Sequence, residues 1–213
     1  MADRELKEKT ELLFRYPFGW MIRYGERRAL IIIIVLTLLV MFCMRLLDSP
    51  LKTESAPQGI VSFELAGDLS NSKMVIDSWN SKARVYAGLS LGLDYLFLVL
   101  YTVSIGSGCI IIARRIVSSN KTIGFIGAGI AWAMLAAGLL DAAENFALIE
   151  LLLGSEESYW PGIARWCAIP KFGIVALGLL YLILGGISAI VIPKYSRGAH
   201  DSLQGVEKWN SER

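Results

Sequence analysis

Asp141, Glu144 and Asn145 stand inside an apolar run that extends from Ile123 to Leu153. At helical periodicity they occupy positions i, i+3 and i+4, so two carboxylates and an amide project from one face. Carboxylates placed this closely can hold a cation, share a proton or do acid–base work. A second apolar run repeats the theme with Asp94 and Tyr101, seven residues apart on one face, and Phe97 beside them. The phenol can donate to a carboxylate through water, or pack at a helix interface. Lys171, directly after Pro170, offers a cation for a ligand, a counter-charge for an acid, or an interface anchor. Asn145 suits interhelical hydrogen bonding as well as ligand contact. Ionisable groups at membrane depth face a bundle interior or a water-filled cavity and mark functional sites. The competing reading is that such groups only fix helix register.

The elements that must position these residues are membrane helices. The chain has 213 residues, 54% of them hydrophobic, and its apolar residues crowd into segments instead of alternating with charge. Four segments, about 29–47, 87–113, 123–153 and 172–192, approach or exceed the roughly 20 residues needed to cross about 30 Å of hydrocarbon. The expected fold is all-α, an integral membrane four-helix bundle over 29–192. A cytoplasmic or interfacial segment, 1–28, precedes it, and a flexible cytoplasmic tail, 193–213, follows. The connections 48–86 and 154–171 are the outer loops. Within the first of them, Ile60, Phe63 and Leu65 suit a short extended or packing segment, and Ser72 to Trp79 suits a short amphipathic helix.

Net charge is only +2, but its distribution sets topology. Arg4, Lys7, Lys9, Arg15, Arg23, Arg27 and Arg28 precede the first span, Arg114, Arg115 and Lys121 crowd the link between the second and third, and Lys194, Arg197, Lys208 and Arg213 follow the fourth. The positive-inside rule puts both termini in the cytoplasm of a cell (inner or plasma) membrane protein. Topology accounts for the basic residues, so nucleic-acid binding has no support. The first span reads as an uncleaved anchor. Phe14, Tyr16, Phe18, Trp20 and Tyr24 suit an interfacial belt. Cys43, Cys109 and Cys167 lack paired spacing and read as isolated thiols. His200, the only histidine, reads as a solvated tail residue, and no metal or cofactor motif is present. Asn120-Lys121-Thr122 matches a glycosylation acceptor but falls on the cytoplasmic side.

Counting 1.5 Å per residue from the cytoplasmic end of each span places Arg45, Asp94, Asp141, Glu144 and Lys171 between about 24 and about 32 Å up. This predicts one layer of charge shared by four helices near the outer edge of the hydrocarbon. Arg45 is its expected counter-charge, beside Lys171. Spans two and three continue past the layer, which predicts a recessed cavity opening outward. Small residues at helical spacing predict close helix packing. These are Gly88 and Gly92, then Gly129, Ala133 and Ala137, Gly138 with Ala142, and Gly185 with Ala189.

The runs Asp94-Tyr95-Leu96-Phe97 through Tyr101, and Asp141-Ala-Ala-Glu144-Asn145, resemble the D-[FY]-x-F-x-x-x-Y and D-x-x-E-N motifs of an uncharacterised family of small bacterial four-span membrane proteins. Phe63-Glu64-Leu65-Ala66 and Lys171-Phe172 are similar too. The resemblance implies the four-helix architecture and the grouping of these polar residues, and no activity. A looser architectural likeness is to sterol-associated membrane proteins of the emopamil-binding and sigma-2 type, which also hold carboxylates in a membrane cavity.

Three functions are therefore expected to compete. The first is a binding or transport-related protein in which Asp94, Tyr101, Asp141, Glu144, Asn145 and Lys171 hold a cation, an amine-bearing amphiphile or a lipid headgroup. The second is a structural or assembly subunit that meets another membrane protein through its small-residue faces. The third is a lipid-modifying enzyme using Asp141 or Glu144 as acid or base with Tyr101 as proton donor; it ranks last, because no nucleophile has an adjacent base.

Overall fold

The structure is a computed structural model that describes Phe18, 26–117 and 119–191. The tail and most of the N-terminal segment, with the aromatic belt apart from Phe18, lie outside the described residues. Among those described, six α-helices and no strands occur: α1 Glu26–Asp48, α2 Ile60–Glu64, α3 Leu69–Ser78, α4 Ser81–Ile116, α5 Lys121–Leu152 and α6 Trp160–Val191. A 3-10 turn, Ser49–Leu51, follows α1. Helices α1, α4, α5 and α6 are long and apolar enough to cross a membrane. The chain is thus an all-α, multi-pass membrane protein.

Helices α4 and α6 start earlier than the hydrophobic runs suggest, for local reasons. Asn80 caps α4, its side chain accepting from the Ala83 amide at 2.9 Å. Helix α6 begins at Trp160 and runs through Pro170, so the predicted loop 154–171 shrinks to the few residues before Trp160. Pro161 sits in the first turn, where its missing N–H is one of the orphan donors in any case. Pro170 forfeits a single intrahelical bond, a loss that membrane helices tolerate when neighbouring helices compensate. Lys171 consequently lies inside a helix and not at its mouth.

Helices α4, α5 and α6 pack mutually, and α1 leans on α4. Glycine sets the closest approaches. A Cβ on Gly178 would meet Ile105 at 2.7 Å, and one on Gly108 would meet Leu182 at 2.8 Å. At Gly127 it would collide with the Tyr181 ring. Of the predicted small-residue faces, Gly138 does meet Thr102 and Gly185 meets Ile112, whereas Gly92 and Gly129 face open space. Helix α1 buries little and presents Ile31, Ile32, Val35, Leu39 and Phe42 outward. The hydroxyls of Thr37 and Ser104, 2.9 Å apart, tie it to α4.

The connection between α1 and α4 is a packed cap. Trp79 and Phe63 are almost wholly buried and meet edge to face at 5.5 Å. The Trp79 indole N–H donates to the Leu51 carbonyl at 2.8 Å. Burying each ring stabilises the cap by about 1.5–3 kcal/mol. Residues 60–64, expected within a short extended or packing segment, pack as the single helical turn α2, and the predicted amphipathic helix appears as α3. Asp68 caps α3 by accepting from the Asn71 amide. Two apolar clusters result. One joins the cap to the ends of α4, α5 and α6 through Leu51, Phe63, Trp79, Leu91, Leu148 and Ala164. The other fills the opposite half around Ile105, Ile110, Met134 and Tyr181. Phe18, expected at headgroup level, belongs to this second core. A Cβ on Gly106 would collide with its ring.

Candidate functional site

Between the two apolar clusters lies a buried polar layer. Asp94 on α4, Asp141, Glu144 and Asn145 on α5, and Lys171 on α6 are each at most 7% exposed. The i, i+3, i+4 spacing on α5 turns its three polar side chains toward the neighbouring helices, and the mutual packing of α4, α5 and α6 brings the other two against them. Counting along the helices, the layer sits about 10 to 20 Å inward from the capped ends of α4, α5 and α6. It is enclosed on both sides by apolar packing.

The contacts form two sets that meet at the neighbouring residues Glu144 and Asn145. Lys171 Nζ donates to Asp141 Oδ1 at 2.9 Å and lies 2.7 Å from Glu144 Oε2. One ammonium thus bridges two carboxylates a helical turn apart on α5. The Tyr101 hydroxyl donates to the other Asp141 oxygen, Oδ2, at 2.9 Å. Asn145 Nδ2 donates to Asp94 Oδ2 at 2.8 Å, joining α5 to α4. The Lys171 ammonium also lies 4.6 Å from the Phe172 ring. The six residues singled out as ligand candidates, Asp94, Tyr101, Asp141, Glu144, Asn145 and Lys171, are therefore brought together. Arg45, expected as a counter-charge, is exposed on α1 and makes no ion pair among the described residues. Its helix packs on the side of the bundle away from α5 and α6, so depth along the membrane did not translate into proximity.

A seventh member comes from the cap. Glu64, at the end of α2, is 6% exposed, and its carboxyl lies against that of Glu144. Burial holds its proton affinity above the usual carboxylate range; Asp141 and Asp48 push it further up, and Lys171 and the contact with Glu144 oppose them. The acid lies in the mixed loop composition between Gly59 and Gly67, where hydropathy gives it no depth. Its sequence signals are a lone charge among Ile60, Val61, Phe63 and Leu65 and its place in the run Phe63-Glu64-Leu65-Ala66, which gives it no depth either.

Four buried carboxyls therefore face one buried ammonium. Glu64 Oε2, Glu144 Oε1 and Asn145 Oδ1 are enclosed without a hydrogen-bond donor. All three orphan atoms are acceptors, so what the site lacks is positive charge or protons. The thiols of Cys43, Cys109 and Cys167 are free, and no group of three or more His, Cys, Asp or Glu among the described residues is arranged to hold a metal ion. At the capped end, one hollow of about 310 Å³ is lined by Ser72, Ile76, Arg84, Leu151 and Glu156, and another of about 470 Å³ by Leu46, Pro50, Lys82 and Tyr86. Neither is lined by a member of the acid cluster, whose side chains are at most 7% exposed. No protein-family model, no curated protein and no solved structure matches the chain.

Proposed function

We propose that this protein binds a small cationic species, a monovalent cation or the ammonium head of an amphiphile or lipid, in the acid cluster beneath its cap. The observation that carries the reading is the imbalance of four buried carboxyls against Lys171, together with enclosed acceptors that lack a donor. Leaving acceptors unsatisfied costs about 1–3 kcal/mol each, more when charged. A donor-rich cation would relieve that cost and neutralise the excess acid. Asp94, Glu144 and Asn145 would hold the ligand. Lys171 and Tyr101 would keep Asp141 occupied and fixed, and the cap would have to move for entry. The positive-inside distribution of Lys and Arg supports entry from the outside of a cell membrane.

The test is thermal unfolding of the purified protein in lipid nanodiscs with added alkali cation or a primary alkylamine. Wild type should be stabilised progressively with concentration, by mass action. The Asp94→Asn and Glu144→Gln variants should lose that dependence while staying folded. An equal response in wild type and both variants would sink the proposal. One observation favours a second reading, in which the layer fixes helix register: Lys171 already pairs with two of the acids. That reading predicts variants that are destabilised and a wild type that responds to neither probe.

A further inference from the structure

Glu64 and Glu144 meet from opposite directions, one at the tip of the cap and the other from the wall of the bundle. Every element packed around them contributes charge: Asp48 from the end of α1, Asp94 from α4, Asp141 and Glu144 from α5, and Lys171 from α6. Arg165 of α6 lies alongside Gly67 but keeps to the exposed surface. The Lys171 ammonium is engaged by Asp141 and by Glu144 Oε2, and no donor reaches Glu64 Oε2 or Glu144 Oε1. The two carboxyls nevertheless lie against each other. Two carboxylate oxygens are both acceptors, so a hydrogen bond between them needs a proton. Without it, two like charges would face each other in a low-dielectric enclosure, and one of the pair would take up a proton.

The cap is hinged to use such a proton. The α2 turn is bounded by Gly59, with φ of 60°, and Gly67, with φ of 80°. Both conformations suit glycine alone without strain. A Cβ at Gly59 would also collide with the Asp48 carboxylate, which accepts from the Ile60 amide at 2.8 Å. Between these two pivots the only charged side chain is that of Glu64. We infer that Glu64 and Glu144 form a proton-binding site, one proton shared between the two carboxyls, and that its occupancy latches the Gly59–Gly67 segment over the acid cluster.

The step balances simply. The carboxyl O–H proton passes to water, two carboxylates are left facing each other beside Lys171, and their repulsion drives the segment out about its glycine pivots. The sign follows from the raised affinity of Glu64. Its contribution to the closed state is fully present below the ordinary carboxyl value of 4.5 and is lost as pH rises through the higher value that burial imposes. Opening would expose Glu144, Asn145 and Asp94, so the latch rests on the proposed cation site only in sharing Glu144. It can be tested with no ligand present, which separates its failure from that of the binding proposal.

The experiment is a pH titration of the full chain in lipid nanodiscs, read by infrared spectroscopy and by amide hydrogen exchange corrected for the intrinsic effect of pH. Wild type should show a protonated-carboxyl band that disappears on alkalinisation. That band should be missing from both Glu64→Gln and Glu144→Gln, because one proton serves both acids. Exchange across residues 60–66 should rise at least tenfold as the band is lost in wild type. In Glu64→Gln it should stay slow throughout, since the amide donates to Glu144 without titrating. The inference is overturned if wild type has no such band, if the band survives in either variant, or if exchange across 60–66 is unchanged while the band disappears. The first and last outcomes need only wild type, so a variant that fails to fold leaves the test decisive.

Discussion

Lys171 is the residue on which the buried layer turns. It lies under 3 Å from oxygens of both Asp141 and Glu144, and each of these acids is at least 98% buried. Removing one partner of a buried pair leaves the other charge uncompensated, which costs about 3–5 kcal/mol, whereas removing every member together can be nearly neutral. Lys171→Met should therefore destabilise the protein by about that amount. Adding Asp141→Asn and Glu144→Gln to it should recover most of the loss, because all three side chains belong to one network and their effects are not additive. Chemical unfolding in mixed micelles measures both quantities. A triple variant no more stable than Lys171→Met would show that the ammonium acts through packing or through its contact with Phe172, and not through the acids.

Helix packing shows where element-level information in the sequence ends. The grouping of Asp141, Glu144 and Asn145 was legible because 3.6-residue periodicity fixes it within one helix. The meeting of Asp94, Asp141 and Lys171 was legible because helices of known rise place them at one depth. Rotation about each helix axis is not encoded that way. Arg45 shares the depth and points elsewhere, and Gly129 shares the small-residue pattern yet meets no neighbour. Glu64 stands in a singled-out loop run, but its place in the layer is not encoded, for a different reason: a cap built from the buried rings Trp79 and Phe63 has no periodicity from which depth can be counted. The early starts of α4 and α6 were readable in principle from Asn80 as a cap and Pro161 as a first-turn residue. The packing difference makes a paired prediction. Gly178→Leu would drive a side chain into Ile105 and Met134, where a bare Cβ would already lie 2.7 Å and 3.3 Å from their nearest atoms. It should cost at least about 1–3 kcal/mol, the usual range for an overpacked site. Gly129→Leu, with no heavy atom within 4 Å of its Cβ, should leave the melting temperature near that of wild type. Equal losses in the two variants would mean that Gly129 packs against something beyond this chain.

At the scale of the whole molecule, the direction from which protons and ligands arrive depends on which end of the bundle carries the cap. Arg114, Arg115 and Lys121 flank the link between α4 and α5, within a few residues of two span ends, the range over which basic residues direct insertion. The capped end also carries basic residues, but Lys73 there pairs with Glu156 at 2.8 Å and Arg84 with Asp77 at 3.2 Å, joining parts of a folded cap. They lie in and beside the long connection, which the rule weighs less than a short link. The cap is thus expected outside, and the link between α4 and α5 in the cytoplasm. Single cysteines replacing Lys73 or Glu156, in a chain whose Cys43, Cys109 and Cys167 are changed to Ala, test this with a membrane-impermeant maleimide on intact cells. Both positions are solvent-exposed, and the surface ion pair they form carries little energetic weight. Both should label on intact cells, whereas Ser119→Cys and Lys121→Cys should label only after permeabilisation. The reverse pattern would turn the cap toward the cytoplasm. The proton latch would then read internal pH, and the acid cluster would draw its cation from inside the cell.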